Sequence, residues 1–128
     1  MIKLVVCDVD GTLLPRGDEF LSEQTINIIK EFNKNNIVFA VASGRQYSEL
    51  RRIFNNLDNI YYISADGGAV VYNGEVLNSE FIPKFSIMNM INKPNLVFHG
   101  VFDSYCTDSK IFDIIKTKYG ESAYTAKR

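Results

Sequence analysis

Asp8 and Asp10 stand two residues apart in Asp8-Val9-Asp10-Gly11-Thr12-Leu13-Leu14, directly after the apolar run Leu4-Val5-Val6-Cys7. On extended backbone that spacing places both carboxylates on one side. Two like charges so close are costly unless a cation or a proton offsets them. Phosphoryl transfer is the chemistry that suits such a pair. One aspartate can attack phosphorus and form an acyl phosphate, while the second protonates the leaving oxygen and later deprotonates water. Mg²⁺ prefers oxygen ligands, would neutralise the pair and would hold the phosphate, which makes Asp8 and Asp10 candidate metal ligands as well as candidate catalytic groups. Gly11 permits a sharp turn, and Thr12 adds a hydroxyl and an amide. The plain alternative is a solvated Asp/Gly turn after a strand.

Ser43-Gly44-Arg45 is the second constellation. It follows another apolar run and opens a helix. Its hydroxyl, its amides and the positive helix end form a natural phosphate cradle, and Arg45 can add a cationic contact to phosphate or substrate. By itself a serine here is an ordinary helix cap, so the pairing with the acidic loop carries the weight. Asp66-Gly67-Gly68 either borders the same crevice or links into a hairpin. His99 lies in an apolar pattern without a second metal-type ligand nearby and reads as structural. Asp103 and Asp108 could complete a Mg²⁺ shell, but the reading preferred here is a strand end followed by a helix cap. The Met88/Met90 and Phe98/Phe102 pairs read as core or packing surface.

The elements that position these groups alternate in the first half of the chain. Ile2 to Cys7 is expected to be a fully buried strand. Ser22 caps a helix through about Lys34, with Glu23 in its first turn, an inner stripe of Leu21, Thr25, Ile28, Ile29 and Phe32, and a stop at Asn35-Asn36. Ile37 to Ala42 is a second strand. Tyr47, Leu50, Phe54 and Leu57 mark the next helix, and Ile60 to Ile63 a third strand. This β-α-β-α-β order predicts a Rossmann-like parallel α/β sheet with right-handed crossovers. Ala69–Tyr72, Asn73-Gly74 and Glu75–Leu77 then predict a hairpin with a type I′ turn. Pro83 divides residues 1–82 from residues 83–128, which open an α+β unit. That unit holds a helix near Ser86–Ile91, a strand from Leu96 to Phe102, and a helix from Ser109 to Lys118 buried through Ile111, Ile114, Ile115 and Tyr119.

Bulk properties restrict the partners. The 128 residues carry 14 basic and 15 acidic side chains, so no positive excess points to nucleic acid. Asp8 interrupts the N-terminal apolar stretch, leaving it too short for a signal peptide or membrane span. Cys7 falls in a buried strand, so reduced thiols and a cytoplasmic setting are expected for Cys7 and Cys106.

Together these residues resemble the haloacid dehalogenase-like superfamily, and more narrowly its Cof-type branch, subfamily IIB. The resemblance rests on Leu4 to Leu14, on Val41-Ala42-Ser43-Gly44-Arg45, and on Ile63 to Leu77, where Asp66-Gly67-Gly68-Ala69 replaces the usual Asn-Gly-Ala. It implies a Mg²⁺-dependent phosphatase of small phosphorylated metabolites such as sugar phosphates. Asp8 is then nucleophile and metal ligand. Asp10 is general acid/base and lends a carbonyl to the metal. Ser43 and Gly44 hold the phosphoryl group, Thr12 assists, and residues 83 onward begin the cap. The resemblance also implies a lysine and a later acidic pair. Lys93 and Asp103/Asp108 are the only stand-ins, so the chain is expected to be the front half of such an enzyme, with weak or no activity alone. The alternatives are a non-catalytic phosphate-binding or regulatory module, and a half-protein that self-associates through an exposed sheet edge or needs a partner chain.

Overall fold

The computed structural model describes residues 1–111, 113 and 114. Its main sheet has five strands in the order β1 (Leu4–Asp8), β2 (Val38–Ala42), β3 (Tyr61–Ser64), β4 (Ala69–Tyr72) and β5 (Glu75–Ser79). β1, β2 and β3 are parallel, whereas β4 and β5 add antiparallel strands. Helices α1 (Glu23–Lys34) and α2 (Tyr47–Ile53) are the two crossovers. A short helix α3 (Lys84–Met90) then leads to a separate two-stranded ribbon of β6 (Val97–His99) and β7 (Ser104–Cys106). The expected α/β architecture is therefore present, with a mixed rather than purely parallel sheet.

Local chemistry explains the boundaries. Ser22 caps α1 by accepting the Thr25 amide at 3.1 Å, and Glu23 sits in the positive first turn. Asn36 ends the helix at φ 56°, a left-handed position asparagine tolerates, while the Ile37 amide reaches back to the Phe32 carbonyl at 2.9 Å. The Asn73-Gly74 turn has φ 48° and 85°, as a type I′ hairpin requires.

The core lies between the sheet and the two crossover helices. Ile26 and Ile29 of α1, Leu50 and Ile53 of α2, and Phe54 just beyond it pack on Phe39, Val41, Tyr62 and Val71. Each such side chain contributes roughly 1.5–3 kcal/mol on burial. The inner stripe of α1 differs from expectation by one position. Ile26 is buried, whereas Ile28 is half-exposed, because two residues of helix turn it away from Ile26 by about 200°.

Three further expectations are corrected. β1 is not fully buried: Val5 and Cys7 pack inward, but Leu4 and Val6 are 55% and 51% exposed. Strands added in one direction by right-handed crossovers put both helices on the same face. The opposite face of β1 thus has no cover among the described residues. The predicted strand from Leu96 to Phe102 is instead two short strands, because the Gly100 amide turns back to the Asp103 carbonyl at 2.8 Å. The last predicted helix starts at Ser109 as expected, but Ile114 is exposed; Ile115, Lys118 and Tyr119 lie outside the described residues. Cys7 and Cys106 are unpaired and half-buried.

Candidate functional site

The site forms where β1 and β2 end side by side. Asp8 and Ala42 are direct partners across the parallel pair, so Ser43 begins its loop beside the Asp8 carboxylate's strand position. Beyond β1 the chain folds back at once. Gly11, at φ 79°, lets its amide reach the Leu14 carbonyl at 2.9 Å, while the Leu14 amide reaches the Val9 carbonyl at 2.8 Å. This tight turn returns Thr12 toward the strand end. Its hydroxyl donates to Asp8 Oδ2 at 3.1 Å.

Asp10 is held differently. Arg45 donates to it from Nε, at 3.1 Å to Oδ1 and 2.9 Å to Oδ2, and from Nη2 to Oδ1 at 2.7 Å. These bonds hold the Asp10 carboxyl below the usual carboxylate range; partial burial opposes the effect, and the Ser43 hydroxyl adds to it. The third edge of the guanidinium, Nη1, pairs with Glu49 in the first turn of α2. One arginine therefore joins an exposed carboxylate on the first loop to a buried one on the second crossover.

The loop after β3 closes the arrangement from the other side. Its Ala65 amide donates to the Arg45 carbonyl at 2.8 Å and its Asp66 amide to the Ser43 carbonyl at 3.3 Å. Ala65 and Asp66 hold φ values of 52° and 55°, and this left-handed pair turns the backbone onto the Ser43–Arg45 loop. The Asp66 carboxylate lies so close to Gly44 that a Cβ there would stand 2.7 Å from Oδ1. A side chain at position 44 would have to push that carboxylate aside, which ties Asp66 to the candidate cradle.

The structure thus brings together Asp8, Asp10, Thr12, Ser43, Gly44 and Arg45, with Arg45 on Asp10 and Glu49. The stand-ins belong to the second unit, with Asp103 directly before β7. Lys93 lies in the turn after α3. Asp108 caps the helix that begins at Ser109 by accepting the Ile111 amide at 3.0 Å and also accepts the Asn95 amide at 2.6 Å; these bonds hold its carboxyl low. His99 contacts Ser104 Oγ at 2.9 Å, and Ser104 donates to Gln46 Oε1 at 2.8 Å. With the serine proton given to Gln46, His99 donates from Nδ1. Ser104 and Gln46 are both buried, so they pin the β6–β7 ribbon to the start of α2. A largely apolar cavity of about 540 Å³ lies between that ribbon, α3 and the Ala65–Gly68 loop; Asp66 and His99 line it, whereas Asp8, Asp10 and Ser43 do not.

Sequence reading missed Glu49, Gln46 and Ser104. Glu49 had a visible signal, since it stands four residues after Arg45. Ser104 and Gln46 had none, because they meet across 58 residues.

The sequence matches the family described as haloacid dehalogenase-like hydrolase over residues 5–124. The chain belongs to the haloacid dehalogenase-like hydrolases. Among its relatives is the Escherichia coli protein named 5-amino-6-(5-phospho-D-ribitylamino)uracil phosphatase YbjI, 36% identical over 62% of this chain and 30% of that one. A Mycoplasma genitalium protein named as a phosphatase, MG265, is 29% identical over 87% of this chain and 40% of its own. The fold matches a crystal structure from Eubacterium rectale with TM-score 0.82 and 23% identity, covering 99% of this chain and 51% of that one. It also matches the subclass IIB sugar phosphatase BT4131, with TM-score 0.65 and 18% identity over 98% and 52%. The chain spans about a third of the length of these curated relatives and about half of these solved structures.

Proposed function

We propose that this chain carries the nucleophilic half of a Mg²⁺-dependent phosphomonoester hydrolase acting on small phosphorylated metabolites, sugar phosphates among them. One observation carries the reading: Asp8 and the Ser43–Gly44 loop end adjacent parallel strands, with Asp8 in register with Ala42. Open α/β sheets bind ligands at the carboxyl ends of their strands. Relatives named as phosphatases, including phosphoglycolate phosphatases and an HMP-PP phosphatase, support the reaction class.

The chemistry follows from the residues. An Asp8 oxygen attacks phosphorus, the bond to the leaving oxygen breaks, and that oxygen takes a proton from Asp10, whose carboxyl carries one only where its exposed contact with Arg45 is released. The Asp8 acyl phosphate is then cleaved by water whose proton passes to Asp10. Ser43 and the loop amides hold the phosphoryl oxygens. Thr12 orients Asp8. The donor set fits Mg²⁺: the Asp8 carboxylate and the Asp10 carbonyl are hard oxygens, and this ion keeps several waters when only one or two protein groups bind it. Bound there, it would neutralise phosphate charge.

Residues 1–82 form the catalytic core portion in this reading, and residues 83 onward open the α+β cap. No helix among the described residues is long and apolar enough to cross a membrane. No third acidic ligand joins Asp8 and Asp10 among the described residues, so turnover by this chain alone is expected to be weak. The exposed edge strands β1 and β5 offer a route to self-association or a partner chain. Beryllium fluoride with Mg²⁺ tests the site directly, because it mimics an acyl phosphate. ¹⁹F NMR is expected to show a bound signal with the native chain and none with Asp8→Asn. A native chain without that signal refutes the reading.

A further inference from the structure

We propose that Glu49 is a positioning residue, the fixed anchor that aims the Arg45 guanidinium at Asp10. This deepens the phosphoryl-transfer reading and rests on it for its functional meaning. The Glu49 side chain is 1% exposed, whereas that of Asp10 is 50% exposed. A carboxylate buried to that degree is sustained only by a cation or by full hydrogen bonding. Arg45 Nη1 supplies the cation. The exposed carboxylate has water as an alternative partner and the buried one does not. The Glu49 end of the bridge is therefore permanent, and the Asp10 end is exchangeable.

Geometry turns that asymmetry into aim. The guanidinium is a rigid planar fork, so pinning one edge fixes where the others point. With Nη1 on Glu49, Nε and Nη2 present the bidentate face that Asp10 meets at 2.7–3.1 Å. Glu49 stands in the first turn of α2, which the core holds through the fully buried Leu50 and Ile53 on either side of that turn's end. The anchor thus transmits the position of a packed helix to an exposed loop. An exposed ion pair at the same four-residue spacing would have no such authority, because solvent would release either partner.

NMR of the Arg45 side chain in this chain tests the assignment through the rotation rate of its guanidinium group. In Asp10→Asn, which removes only the exposed partner, rotation is expected to stay slow. In Glu49→Gln it is expected to quicken by about tenfold or more as the charged anchor is lost. Glu49→Asp, which keeps the charge, is expected to restore part of the restraint. Fast rotation in Asp10→Asn would make Asp10 the anchor and overturn the proposal. Unchanged slow rotation in Glu49→Gln would overturn it equally. Asp10→Asn alters an exposed site, so it keeps the proposal falsifiable even where Glu49→Gln does not fold. The Asp8→Asn fluoride experiment leaves the Arg45 bridge untouched, so the phosphoryl-transfer reading and the anchor can fail separately.

Discussion

Replacing Arg45 by methionine separates the two ends of its bridge by magnitude. Its pairing with the half-exposed Asp10 is worth at most about 1 kcal/mol, since water screens and replaces it. The Glu49 end is another matter. Without the guanidinium, a carboxylate 1% exposed is left uncompensated inside the fold. Breaking a buried pair in this way costs roughly 3–5 kcal/mol. Small domains are stable by about 5–15 kcal/mol, so the loss is roughly a fifth or more of the total. With a urea dependence near 2 kcal/mol/M, the midpoint should fall by roughly 1.5–2.5 M. Arg45→Met/Glu49→Leu should recover most of the loss, because apolar groups of similar volume replace a buried pair at little cost. Asp10→Asn should move the midpoint by less than about 0.5 M. The reasoning is refuted if Arg45→Met costs less than about 1 kcal/mol, or if the double variant is no more stable than the single one.

Gly44→Ala should destabilise the chain by about 1 kcal/mol, because the new methyl meets the Asp66 carboxylate at 2.7 Å. Thermal melts should show that cost vanish in an Asp66→Ala background; an equal cost in both backgrounds would place the strain elsewhere. Burial lowers the His99 pKa against an opposing effect of Asp66, so the folded state resists protonating the ring. Its stabilising contribution is complete above the ordinary histidine value near 6.5 and is lost as pH falls through the lower folded value. Amide exchange at Ser104, corrected for intrinsic rates, should therefore quicken between pH 7.5 and 5.5 in the native chain and change less in His99→Gln. Equal changes in the two would remove His99 from the account.

Much of this site is legible in local sequence, for a physical reason. Asp8, Thr12, Ser43 and Gly44 lie within a few residues of strand ends, and strand ends are marked by apolar runs and turn residues. The hairpin was equally plain, because Asn73-Gly74 satisfies a backbone demand few other pairs can meet. What stayed hidden depends on tertiary meeting. Asp66 acts on Gly44 only because β3 lies beside β2. Ser104 meets Gln46 only after the second unit folds back on α2. The break of the Leu96–Phe102 run was concealed for another reason: apolar residues on both sides of Gly100 mimic one continuous strand. Arg45 lies between these cases. Its place in the loop was visible, but its partners were not, since phosphate and carboxylate attract the same fork.

The uncovered face of β1 joins the fold to the site. Leu4-Val5-Val6-Cys7 is apolar on both faces, the pattern of a strand covered on both sides. Here α1 and α2 cover only the face of Val5 and Cys7, because β1, β2 and β3 follow in one direction. A helix on the Leu4/Val6 face would come from strands added on the other side of β1, where the order reverses. In open α/β sheets that reversal point is where the ligand crevice forms. Asp8 ends the very strand at which reversal would occur. Bare apolar surface and the proposed nucleophile Asp8 thus point to one position: on the proposed reading β1 is suited to a central place in a sheet, and the described residues furnish one wall of the crevice at its end.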